Sequence, residues 1–309
     1  MKEEFTYPSR DQKTQIHAVR WNPEGKPKGV VQLVHGMRGY AGQYEEFARF
    51  LADRGYCVTG CDLLGHGSSV VSEEMHGYFA KEKGVECLIT DIRNLFIMTA
   101  EKYPDAPYFL FGQRFGAMLL QEYLMMFGEE LNGVILCGSG IFPKAFLRSG
   151  KRNALIAGKL KGWDFRSQKL HDLVYGPLES AFPESPFGWM TKNPDAISLL
   201  DKNPWNHFRL TVNAYREMFR CAEFTQNPMY LRKIVKGLPI FLIGGKSDPF
   251  GGNGDGVRTI YLQYLQNHLR DVTIRLYEGD RNELLFEDDR DAVSEDILTW
   301  LDVRASRGR

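Results

Sequence analysis

With 309 residues, 39 acidic and 39 basic side chains and a pI near 7.1, the chain lacks the basic bias of a nucleic-acid binder. Apolar residues make up 43% and charged residues 25%, the balance of a soluble globular protein, and no apolar run approaches the ~20 residues of a membrane span. The five cysteines are odd in number, lack metal-ligand spacing and mostly sit in apolar runs, which reads as buried free thiols in a reducing compartment. Met1 to Phe5 carries no basic-then-apolar leader, so a cytoplasmic location is expected.

The apolar runs alternate between strand-like and helix-like periods, which predicts an α/β fold with a mostly parallel central sheet flanked by helices. Val30 to Val34 reads as a buried strand ending at His35-Gly36. Tyr44 to Arg54 follows with Phe47, Phe50 and Leu51 at helical spacing, and Gly55 ends that helix. Tyr56 to Asp62 is the next strand, closed by Gly65-His66-Gly67-Ser68-Ser69. Val85 to Lys102 has a helical pattern stopped by Pro104. Tyr108 to Phe111 is a strand, Ala117 to Phe127 a helix, and Val134 to Cys137 another central strand.

From about Ile141 to Leu231 the pattern turns helical and irregular, rich in aromatic residues and proline, with no strand. Lying between two core strands, residues 141–231 are expected to form an inserted helical cap within a single domain of residues 1–309. Such a cap would cover the sheet's C-terminal edge, where open α/β sheets bind ligands. Pro239 to Ile243 and Val272 to Tyr277 are strands flanking a helix from Val257 to Leu269. A last helix runs from about Asp291 to Leu301, and Arg304 to Arg309 read as a frayed tail.

Between the strand at Tyr108 and the helix at Ala117 stands Gly112-Gln113-Arg114-Phe115-Gly116. This is the frame of the nucleophile elbow G-x-S-x-G, a sharp strand-to-helix turn that lifts one side chain above the sheet. Both glycines are present, with arginine at the centre. A guanidinium stays charged, has no lone pair to attack a carbonyl and cannot be activated by a base.

With these segments in order, the chain resembles the monoacylglycerol lipase and lysophospholipase-like (serine aminopeptidase S33-type) branch of the α/β-hydrolases. Val34-His35-Gly36-Met37 is similar to the family's strand-end oxyanion motif, and Gly55 to Asp62 with Gly65 to Ser69 to its G-Y-x-V…D…G-H-G-x-S block. Gly245-Lys246-Ser247-Asp248-Pro249 resembles its acid loop, and Tyr277 to Glu283 stands where the family has Y-x-G-x-R-H-E. The resemblance implies an α/β-hydrolase fold. It also implies that the Ser, Asp and His positions of the triad are held here by Arg114, Asp248 and Asn282, with only the acid retained. The residue before the nucleophile, usually His, is Gln113, and Tyr40 stands where a second histidine is common.

An amide is not protonated near neutral pH, so Asn282 cannot serve as the general base. The one histidine after Asp248 is His268, in a helical pattern and read as a surface or packing residue. Asp248 is either a relic acid bound to Arg114 or Asn282, or an ordinary loop-capping aspartate before proline. The family's oxyanion amides correspond to Met37 and Phe115. With the elbow helix N-terminus and Arg114 they would favour a carboxylate or phosphate, unless the arginine fills and blocks the pocket. Trp163, Phe165, Phe182, Phe187, Trp189, Trp205 and Phe208, with Met125 and Met126, either line an acyl-chain cavity or form the cap's own core. Gly251 to Gly256 reads as a loop rather than a calcium turn, and Ser139 lacks the elbow frame and a base. Neither a metal nor a cofactor motif is present.

The expectation is therefore a pseudoenzyme with a degenerate triad that binds a small amphipathic or anionic ligand, such as a fatty acid or lysolipid, under the cap. The alternatives are an active carboxylic-ester hydrolase using a non-standard site, and a protein-interaction scaffold. The sequence leaves the oligomeric state open.

Overall fold

Strands β1 (Lys2–Pro8), β2 (Gln15–Trp21), β3 (Gly29–Val34), β4 (Tyr56–Cys61), β5 (Tyr108–Gln113), β6 (Gly133–Cys137), β7 (Ile240–Gly245) and β8 (Val272–Tyr277) form one sheet in the computed structural model, which describes residues 1–306. Their order is β1-β2-β4-β3-β5-β6-β7-β8. Strands β3 to β8 run parallel, while β1 pairs antiparallel with β2 and β2 antiparallel with β4. Every residue of β3, β5, β6 and β7 is buried, because helices cover both faces of the sheet.

Alternate residues of these strands feed two apolar clusters, one on each face. Val31, Leu33, Phe109 and Phe111 pack with α1 (Glu45–Asp53) and α11 (Arg290–Ala305). Val30, Leu110, Val134 and Leu136 pack with α2 (Gly84–Lys102), α3 (Phe115–Phe127) and α10 (Asp255–Gln266). These six strands and five helices agree with the periodicity reading to within a few residues. Strands β1 and β2 had no counterpart in that reading. In β1 Tyr7 alone is buried, so this edge strand is held by pairing to β2 and carries little apolar alternation of its own.

Between β6 and β7 the chain forms helices and no strand: α4 (Lys144–Lys161), α5 (Gln168–Val174), α6 (Gly176–Ser180), α7 (Pro194–Lys202), α8 (Val212–Thr225) and α9 (Pro228–Leu231), joined by irregular turns. The starts of α5, α7 and α8 are set by Ser167, Asn193 and Thr211, whose side chains accept from the amides of Leu170, Ala196 and Ala214. Each satisfies an amide that the first helical turn leaves free.

The five cysteines are all buried and free. Among the described residues no helix is long and apolar enough to cross a membrane. Of the expected tail, Arg304 and Ala305 belong to α11, and residues 307–309 lie outside the described residues.

Candidate functional site

The elbow forms where β5 ends and α3 begins. Arg114 sits between them at φ 49°, ψ −108°, a conformation rare for an L-residue. Its flanking glycines leave no alternative. A Cβ on Gly116 would lie 2.1 Å from the Val34 carbonyl oxygen, and one on Gly112 would lie 2.8 Å from the Ala117 backbone. The turn therefore brings α3 hard against the end of β3 and fixes where the Arg114 side chain starts.

That side chain is only 5% exposed. Its Nη2 lies 2.8 Å from Oε1 of Glu283, a wholly buried carboxylate, and 3.5 Å from the Met37 carbonyl oxygen. The guanidinium carbon stands 5.3 Å from the Trp189 ring centre. Nε is buried without a hydrogen-bond partner. On its other side Glu283 accepts from the Tyr44 hydroxyl at 3.4 Å. Burial pushes the Glu283 carboxyl up, and the Arg114 charge opposes that push.

Asp248 and Asn282 meet a short distance away. Asn282 Nδ2 donates to Asp248 Oδ2 at 2.8 Å, and the Phe250 amide donates to Oδ1 at 2.9 Å. Gln113 Nε2 donates to the Asn282 backbone oxygen at 2.9 Å. The Asn282 amide thus bridges the acid loop and the elbow. Of the two partners considered for Asp248, the structure selects Asn282. Arg114 turns instead to Glu283, a residue of the Tyr277 to Glu283 segment that its spacing alone does not mark as a partner. The signal was available in one physical rule: a buried guanidinium needs a buried anion, and Glu283 follows Asn282 directly.

Desolvation pushes Asp248 up to about 6 from 3.8, against the bond from Asn282. With the folded value above the unfolded one, the native state holds the extra proton between these limits. Stability from this group is present below pH 3.8 and is lost as pH rises through 6. Urea midpoints measured from pH 4 to 7 should therefore fall less steeply with pH in Asp248→Asn than in wild type.

The amides of Met37 and Phe115 make no hydrogen bond to another described residue. Both residues, with Arg114, line one end of a cavity of about 340 Å³ that extends beneath α4 to α6 and α8. Its walls are apolar, from Met118, Phe142, Phe146, Leu178, Phe219 and Phe250 among others. Of the aromatic and methionine side chains singled out in the sequence, Trp189 alone lines it. Trp163 packs against Gly158 and Arg216, Phe187 against His207, and Phe208 against His66 and His76. Met125 is buried away from the cavity and Met126 is half-exposed. The pattern revealed that the segment was aromatic, but which helix face met the cavity depends on how the helices cross.

The nearby histidine is otherwise engaged. His35 is wholly enclosed, its Nε2 accepting from the Leu63 amide and its Nδ1 bonded to the Gly36 oxygen, both at 2.8 Å. His268 is exposed, as expected, but it lies two residues past the end of α10, at φ 64°, and not within a helix. Ser139 is buried, with its hydroxyl unpartnered. Among the described residues no cluster of side chains could hold a metal ion.

The model of the serine aminopeptidase S33 family matches residues 25–289, from before β3 to the start of α11. The chain belongs to that family. Human monoglyceride lipase is 29% identical to it over 294 residues, covering 93% of this chain and 86% of that protein. The monoacylglycerol lipase of Mycolicibacterium smegmatis is 22% identical over 286 residues, covering 91% and 90%. Among solved structures, a thermostable carboxyl esterase from Bacillus coagulans in complex with glycerol superposes with a TM-score of 0.89 at 28% identity, covering 98% of this chain and 99% of the other. The fold is that of the α/β-hydrolases, and this S33-family chain stands among ester hydrolases of the monoacylglycerol-lipase kind.

Proposed function

We propose that this chain keeps the hydrolase fold to bind a small amphipathic molecule, and has lost the Ser–His–Asp route to cleaving it. One observation carries the reading: the elbow projects an arginine whose guanidinium is held by a buried carboxylate. Neither Arg114 nor Asn282 can give or take the proton that acyl transfer requires. Asp248, the remaining member of the triad-equivalent positions, is occupied by Asn282 rather than by a base.

What remains suits binding. The cavity falls near the lower end of the ~300–1,000 Å³ range of small-molecule sites, and its walls match an acyl chain. Beside Arg114 two backbone amides and a helix N-terminus offer donors to a polar head, whatever the side chains there. A fatty acid or lysolipid has this two-ended character. Residues 141–231 serve as the cap that supplies the apolar wall.

Assayed beside an intact triad relative, the chain should turn over p-nitrophenyl butyrate at least about 10⁴-fold more slowly and take no label from a fluorophosphonate. Turnover approaching that of the relative, or a labelled serine, would replace this reading with an active esterase using another nucleophile. Displacement of a fluorescent fatty acid by unlabelled lysolipid tests the binding half. A cavity that takes up neither favours the scaffold reading.

A further inference from the structure

We infer that the Arg114 end of the cavity takes up a carboxylate together with one proton, the proton going to Glu283. This deepens the binding reading above and rests on it.

Arg114 is the cationic side chain lining the cavity, and it is already matched one-to-one by Glu283 at 2.8 Å. Its Nε lacks an acceptor although the residue is only 5% exposed. The Met37 and Phe115 amides beside it are also free to donate. The arrangement presents donors for one more acceptor, but its charge is already balanced. A carboxylate placed here would put two anions around one guanidinium in a water-poor space. Uncompensated buried charge of that kind is removed by protonation before it is tolerated. A neutral head such as an alcohol imposes no such demand.

Glu283 is the group placed to accept the proton. It faces Arg114 from the elbow, the Tyr44 hydroxyl from the turn before α1, the Cys137 thiol at the end of β6, and Glu287 from its own segment. Asp248, in the loop after β7, also feels Arg114. From the helical segment between β6 and β7 Glu283 meets an uncharged acceptor, the Met190 carbonyl oxygen, which its own amide contacts at 2.7 Å. Arg114 is the positive group opposing its neutralisation, while Glu287 favours it. Once a ligand shares the guanidinium, that opposition weakens. A proton from solvent then converts Glu283 to its neutral acid, and the Arg114–ligand pair remains balanced.

Calorimetric titration with octanoate and with octanol, between pH 6 and 8.5 in buffers of different ionisation enthalpy, tests this. Octanoate should bind with uptake of about one proton and gain roughly tenfold in affinity for each unit the pH falls. Octanol should bind with neither signature. In Glu283→Gln the octanoate affinity should lose its pH dependence and the proton uptake should vanish. Should that variant not fold, the wild-type proton count still decides, and Arg114→Met, which removes the guanidinium that the carboxylate would share, should weaken octanoate binding and leave octanol binding unchanged. Octanoate binding without proton uptake, or uptake that persists in Glu283→Gln, overturns the inference. Binding of octanol with exclusion of octanoate overturns it while leaving the binding reading intact. Failure of both ligands to bind removes the binding reading as well.

Discussion

The double variant Arg114→Ser with Asn282→His should hydrolyse p-nitrophenyl butyrate at least about 10²-fold faster than wild type. The introduced serine would stand on an elbow whose backbone is unchanged, beside an apolar cavity of about 340 Å³. A histidine at 282 would find Asp248 where the Asn282 amide now donates at 2.8 Å, the contact that orients a general base. The Met37 and Phe115 amides, unpartnered among the described residues, would be the donors for the tetrahedral oxyanion. Removing Arg114 leaves Glu283 without its cation, but burial favours the neutral acid there, so that carboxyl can take up a proton and become uncharged. Each single variant should stay near the wild-type rate, since a nucleophile without a base, or a base without a nucleophile, gains little. A folded double variant no faster than wild type would show that more than the two side chains separates this chain from an esterase.

Glu283→Gln should lower unfolding stability by about 3–5 kcal/mol, because it strands a buried guanidinium whose one anionic partner has gone. Arg114→Met is expected to cost far less. The thioether fills similar space against Trp189, and Glu283 relieves its own burial by taking a proton. Combining the two should return most of the loss, since replacing a buried pair by uncharged groups is often near neutral. Urea denaturation of all four proteins at one pH gives the coupling directly. Additive losses would mean that the 2.8 Å contact contributes nothing beyond packing.

The order of the elements was legible in the residues because the central strands are short, predominantly apolar runs set between segments of helical period. The elbow was legible too, since its glycines are required by contacts as short as 2.1 Å and leave a fixed spacing. Strands β1 and β2 were not. Strand β1 buries Tyr7 alone and is held by pairing with β2, which leaves a weak imprint on composition, while β2 buries Ile16, Ala18, Val19 and Trp21 but interleaves them with polar residues. The cavity wall was not legible either: Phe142, Phe146, Phe219 and Phe250 line it in place of most of the aromatics expected.

By itself the sequence determined the chemistry available at the elbow: an arginine and an asparagine have the same proton inventory in any fold. Only the tertiary structure decided what that arginine does. From a strained turn the guanidinium could reach Asp248, solvent or Glu283. The choice fell to Glu283, because two buried opposite charges at 2.8 Å relieve a desolvation cost that neither could bear alone, and Asn282 had already taken the aspartate. Spacing along a chain records which groups exist. Which of them meet in a space without water is settled by packing.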